Sequence, residues 1–181
     1  MPVARGREIE MTAYIALLRA VNVGGTGKLP MTELTAMCEA AGFAKVKTYI
    51  ASGNVVFTSS KSEAAVKAAL EQAMQAYAGK AVGVMVRTAA EMAAVRDANP
   101  FADAPGNRVV ATFLDEAPAK DAIAQATNIN GEEMALGERE IYIRYTDHGM
   151  ADSKLKIPGA KTGTARNMNT VAKLAEMAAK L

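Results

Sequence analysis

The sequence predicts an α+β protein made of two tandem ferredoxin-like (βαββαβ-type) halves, the second incomplete. Three observations carry that expectation. Short apolar runs alternate with segments of helical periodicity in the order β-α-β-β-α-β between residues 12 and 88. A similar order, β-α-β-β-α, follows between residues 108 and 181. Composition is ordinary for a globular chain, with 50% hydrophobic and 22% charged residues in 181.

In the first half, residues 14–21 form an apolar run that ends at Asn22 and a Gly24-Gly25 turn, which reads as a buried strand. Pro30 opens a helix with Leu34, Met37, Cys38 and Ala41 at helical spacing, and Gly42 stops it. Residues 46–50 and 55–58 form a hairpin about Ser52-Gly53-Asn54. Ser60 and Glu63 read as a capping box for a helix whose stripe is Val66, Ala69, Leu70, Ala73 and Tyr77. Residues 81–87 are the closing strand.

Thr88 and Glu91 form a second capping box, starting a short linking helix that Asn99-Pro100 ends. In the second half, residues 108–114 are a strand and residues 118–127 a helix. Residues 132–136 and 140–145 form a hairpin about Gly137-Glu138-Arg139. A Gly- and Lys-containing loop covers 146–163. Thr164 then caps a final helix with Val171, Leu174, Ala178 and Leu181 on one face. The second half thus lacks a last strand. Three segments follow: an N-terminal extension without order (1–11), a first subdomain (12–88), and a linking helix with a second subdomain and a basic C-terminal helix (89–181).

The composition removes several chemistries. One histidine, His148, cannot build a multi-imidazole zinc site, and no metal site is expected. One cysteine, Cys38, excludes an internal disulfide and lies on an apolar helix stripe. No apolar run has the ~18 residues a membrane span requires, and residues 1–10 have no signal-peptide core. The expectation is a cytoplasmic protein with no membrane association.

Three polar clusters stand out. Asn22-Val-Gly-Gly-Thr-Gly-Lys28 lies between a strand and a helix, as phosphate-binding loops do. It has Asn22 in place of the first Gly and Leu29 in place of the Mg²⁺-binding hydroxyl, which leaves an anion nest built on Gly24, Gly25 and Lys28, or a plain turn. Thr164, Arg166 and Asn167 stand at a predicted helix start, where backbone N–H groups and a guanidinium would suit phosphate or carboxylate; a generously capped helix is the plainer account. Arg19 interrupts an apolar strand, which is costly unless it is paired or faces a cleft; Ser52 and Asn54 sit at the neighbouring hairpin. From Ser153 onward, six basic residues (Lys154, Lys156, Lys161, Arg166, Lys173, Lys180) face one acid, Glu176, while net charge overall is +2. Such a segment suits an anionic partner or is a solvated face.

Several segments resemble one bacterial family: Leu17-Leu-Arg-Ala-Val-Asn-Val-Gly-Gly25, Lys28-Leu-Pro-Met31, Thr48-Tyr-Ile-Ala-Ser-Gly-Asn-Val-Val-Phe57, Ser153-Lys-Leu155 and Thr164-Ala-Arg-Asn-Met-Asn-Thr170. They are similar to the DUF1697 domain from about Thr12 onward. The resemblance implies two duplicated ferredoxin-like subdomains and no established activity. The chain departs from that pattern at Met168, where the family usually has Trp, and in a shorter stretch between Leu155 and Thr164.

The functional expectation is an anionic ligand, bearing phosphate or carboxylate, held at a polar cleft between the halves by Arg19, Asn22, Gly24, Gly25, Lys28, Ser52, Asn54, Lys154, Thr164, Arg166 and Asn167. An RNA-binding module is one alternative, although the strands lack the base-stacking aromatics of an RRM. A small-molecule enzyme of unknown reaction is a second, and a protein-interaction adaptor, which exposed apolar strand edges would favour, is a third. No cofactor or oligomeric state is indicated.

Overall fold

The computed structural model describes residues 10–22 and 28–181. Most of the expected N-terminal extension, and Gly24 and Gly25 of the glycine-rich loop, lie outside them.

The chain is a mixed α+β protein, with two four-stranded antiparallel sheets and four α-helices among the described residues. The first sheet contains β1 (Thr12–Leu18), β2 (Ala44–Tyr49), β3 (Asn54–Ser59) and β4 (Val84–Thr88) in the order β2-β3-β1-β4. The second contains β5 (Val109–Phe113), β6 (Glu133–Leu136), β7 (Glu140–Arg144) and β8 (Thr164–Asn167) in the order β6-β7-β5-β8. The two orders are the same once the strands are counted within each half.

The helices are α1 (Met31–Ala40), α2 (Glu63–Ala78), α3 (Ala89–Asp97) and α4 (Met168–Ala179). Strand alternation sorts the side chains into layers. Tyr14, Ala16 and Leu18 of β1 pack with Leu34 and Cys38 of α1 and Val66, Leu70 and Met74 of α2. Ile15 and Leu17 point the other way and join Met85. There they meet Met92 and Val95 of α3, Val171 and Leu174 of α4, and Val109, Ala111, Phe113 and Tyr142 of the second sheet. So α3 and α4 form a central layer shared by both sheets. Beyond the second sheet a smaller cluster holds Leu114, Ala122, Ile141, Ile143 and Ile157. Full burial of each large side chain contributes about 1.5–3 kcal/mol, so the shared layer ties the halves together strongly.

The Thr88–Glu91 capping box forms as expected, with the Thr88 hydroxyl accepting from the Glu91 N–H at 3.1 Å and the Glu91 carboxylate accepting from the Thr88 N–H at 2.9 Å. Thr88→Ala should lower stability by about 1 kcal/mol, read as a shift of the urea midpoint at unchanged slope.

Several expectations are corrected. The second sheet does not lack its last strand: β8 pairs with β5, Ala111 opposite Arg166 and Phe113 opposite Thr164. It buries Thr164 and Arg166 while exposing Ala165. A four-residue strand whose inward residues are polar gives no apolar alternation, so it reads as a cap. Asn167, not Thr164, caps α4, accepting from the Thr170 N–H at 2.9 Å.

Residues 118–127 form successive turns instead of a helix, with bonds from Ala122 N–H to Ala119 C=O and from Gln125 N–H to Asp121 C=O. Of that segment only Ala122 is buried, and helices of this length need a packed face. At α2 the cap is Ser62, which accepts from the Ala65 N–H; Ser60 does not fill that place. Met74 takes the inner stripe, leaving Tyr77 44% exposed. Asn54 is not in the hairpin turn but opens β3 as a buried residue, while Gly53 carries the positive φ of 89°.

Cys38 is fully buried, and burial pushes its thiol up to about 12, so it is a core group with little thiolate. Among the described residues no helix is long and apolar enough to cross a membrane.

Candidate functional site

Two buried guanidinium groups organise the contacts between the sheets, and they differ in what they leave free. Arg166 projects inward from β8 to the turn of the first hairpin. Its Nε donates to Asn54 Oδ1 at 2.6 Å. Nη1 donates to Thr164 Oγ1 and to the Ala165 carbonyl, both at 2.9 Å. Nη2 donates to the carbonyls of Leu18 and Ser52, both at 2.9 Å. Those bonds take up the five N–H donors that an arginine carries. Asn54 is oriented in turn, its Nδ2 donating to the Tyr49 carbonyl and to Ser52 Oγ at 2.9 Å each. Every acceptor around Arg166 is uncharged, and burial pushes its pKa down to about 10, so it stays a cation at neutral pH.

Ser52, Asn54, Thr164 and Arg166 are thus brought together, but as a sealed strut between the two sheets. Arg19 is a second tie nearby: its Nε donates to the Gly163 carbonyl at 3.1 Å and its Nη2 to the Lys161 carbonyl at 2.7 Å. Asn22 clips the base of the glycine-rich loop. It accepts from the Leu29 N–H at 2.6 Å and donates to the carbonyls of Leu29 and Ala51 at 2.8 Å each. Asn167 is occupied as the α4 cap. Lys28 lines a cleft of about 430 Å³ with Tyr77 and Lys80, whereas Lys154 lines another of about 410 Å³ with His148 and Asp152. Among the described residues, Lys28 and Lys154 therefore line different clefts, apart from the cluster around Arg166. In the Lys154 cleft, the Ser153 hydroxyl donates to Glu132 at 2.6 Å, and with the Asn130 N–H holds that carboxyl below the ordinary range.

Arg87, on β4, was not among the sequence candidates. The signal was available in Val84-Met-Val-Arg-Thr88, a charge inside an apolar strand like that of Arg19. Arg87 is only 1% exposed. Nη1 donates to the Val86 carbonyl at 2.9 Å, and Nη2 to the carbonyls of Leu114 and Arg139. The guanidinium lies 5.5 Å from the Phe113 ring centroid. No carboxylate pairs with it, and Nε and one Nη1 hydrogen make no hydrogen bond among the described residues. No buried side-chain N or O among those residues lacks a partner. Arg87 also borders an open space.

That space is a cleft of about 600 Å³ between α3 and the β6–β7 hairpin, lined on one side by Glu91, Ala94, Val95, Ala98 and Pro100 and on the other by residues 135–140 and Tyr142. It lies where the first sheet's last strand and helix meet the second sheet. Its other charges are mostly committed. Arg139 holds Glu63 at 3.0 Å and Glu91 at 3.4 Å. Glu140 accepts the N–H groups of Glu138 and Arg139. Burial, reinforced by the Arg139 charge, shifts the Arg87 pKa down against the opposing pull of the Glu140, Glu91 and Glu63 charges. Tyr142 donates to the Val95 carbonyl at 2.7 Å, and burial pushes its hydroxyl up, out of reach as a base. Among the described residues no group of three or more His, Cys, Asp or Glu could hold a metal.

A family model described as a protein of unknown function, DUF1697, matches residues 11–142. The conserved bacterial protein SP0830 from Streptococcus pneumoniae has a similar structure, with TM-score 0.78 and 26% identity over 93% of this chain and 99% of that one. No curated protein matches the chain.

Proposed function

Because the chain belongs to the DUF1697 family, whose description assigns no activity, we propose from the geometry that it binds a small anionic ligand in the cleft beside Arg87. The supporting observation is a guanidinium 1% exposed, lining a cleft of about 600 Å³, with donors left over and no carboxylate partner. A buried cation whose hydrogen bonds all go to uncharged carbonyls is costly, and a carboxylate or phosphate oxygen would complete its bonding with geometry that arginine favours. The walls of Ala94, Val95, Ala98 and Leu136 suit an apolar body behind the anionic group. We also read each sheet with its connections as one ferredoxin-like half, a view supported by the repeated strand order. Cytoplasmic residence is part of the same proposal, supported by the lone buried Cys38.

The RNA alternative has less support. Of the basic residues beyond Ser153, Arg166 is sealed inside, while Lys173 and Lys180 both lie against Glu176. An enzymatic role would need a reactive group in the cleft, and Tyr142 is held as a donor.

Titrating ¹⁵N-labelled protein with hexanoate should shift amides in 87–98 and 135–142. Arg87→Met should weaken hexanoate tenfold or more, since a charge-assisted bond is worth about 1.5–3 kcal/mol. Ala94→Phe, on the exposed wall and away from the core, should block the cleft while leaving the fold intact. Equal binding by all three proteins, or no shifts in the parent, would defeat the reading.

A further inference from the structure

The cleft's charges are unbalanced in a way that narrows its ligand further. Two cations, Arg87 and Arg139, face three carboxylates, Glu91, Glu138 and Glu140. Glu91 and Glu140 accept bonds from backbone N–H groups and, for Glu91, from Arg139. Glu138 differs: it is exposed, and its carboxylate makes no hydrogen bond or ion pair among the described residues. The cleft thus offers unused donors on a buried guanidinium and an unused acceptor at the hairpin turn.

A plain anion would satisfy Arg87 while adding to an existing excess of negative charge, and a polyphosphate would add more. A molecule carrying both an anionic and a cationic group satisfies Arg87 without increasing that excess. The volume, about 600 Å³, lies inside the ~300–1,000 Å³ span of small-molecule sites and exceeds what one amino acid fills.

Building on the binding proposed above, we infer that the ligand is an amphipathic zwitterion of short-peptide size, its carboxylate on Arg87 and its ammonium toward Glu138. The apolar side chains of such a peptide lie against Ala94, Val95 and Ala98. Selectivity then resides in the ammonium, since the carboxylate is common to all simple organic acids.

The test compares leucyl-leucine, N-acetyl-leucyl-leucine and leucyl-leucinamide by amide shifts, alongside hexanoate. Leucyl-leucine should bind at least tenfold more tightly than its N-acetyl form, and the amide should bind more weakly than either. Glu138→Gln, on an exposed turn, should bring leucyl-leucine and its N-acetyl form within about twofold of each other while leaving hexanoate bound at least as tightly as before. If N-acetyl-leucyl-leucine binds as well as the free dipeptide, or if Glu138→Gln leaves the ratio intact, the zwitterion inference falls. An Arg87-dependent hexanoate site would survive that result. If neither peptide nor hexanoate shifts the cleft, both proposals fall together.

Discussion

Arg166→Met is expected to destabilise the protein by about 3–4 kcal/mol, a large part of the about 5–15 kcal/mol that holds a domain folded. Two opposing effects set that figure. Removing the cation relieves its desolvation, which stabilises the variant. Against this, Asn54 Oδ1 and the carbonyls of Leu18, Ser52 and Ala165 lose a donor, and a buried acceptor left unpaired costs about 1–3 kcal/mol. Several such losses outweigh one relieved desolvation. Arg166→Lys should rescue little, because a single ammonium cannot reach acceptors spread across three strands and a turn. Urea unfolding checks both variants. A methionine variant within about 0.5 kcal/mol of the parent would show that Arg166 is not a strut.

Gly53→Ala should cost about 2–5 kcal/mol, from the same region but for a different reason. Gly53 has φ of 89°, where an L side chain is strained by about 1–2 kcal/mol. A Cβ there would also stand 2.5 Å from Val21 Cγ2 and 3.0 Å from Leu18 Cβ, and overpacking of that kind costs about 1–3 kcal/mol more. The Leu18 N–H donates to the Gly53 carbonyl at 2.9 Å, so a shift of the turn would also disturb the seat of Arg166. Thermal unfolding of Gly53→Ala measures the cost. Gly42→Ala is a useful control, because its φ is 86° but a Cβ would meet nothing within 4 Å. It should show the strain without the clash.

How much could be read in advance follows from where apolar side chains sit. Strands β1, β4, β5 and β7 bury both faces, so they appear as apolar runs. The Thr88–Glu91 box and the Gly137-Glu138-Arg139 turn appear because their chemistry is local. Strand β8 was hidden because it buries Thr164 and Arg166, whose inward placement depends on partners more than 100 residues away in sequence. Arg166, Asn54 and Ser52 were recognisable as unusual, and they do meet; composition could not say that their partners would be one another. The cleft was hidden for a related reason. Whether an arginine such as Arg87 has donors to spare depends on the backbone carbonyls around it, which no pattern in the sequence records.

The shared α3–α4 layer has a consequence for synthesis of the protein. The first sheet is complete when Thr88 has been added, but α4 begins only at Met168, some 80 residues later. At translation rates of about 5–20 residues per second, that interval lasts on the order of 4–16 s. Throughout it, Ile15, Leu17, Val56 and Met85 lack the cover that Val171, Leu174 and Ala175 of α4 give them. A nascent chain of this protein therefore carries a sticky apolar surface on an otherwise finished sheet. Slowed translation between residues 88 and 168 lengthens that exposure, and aggregation during synthesis should rise with it.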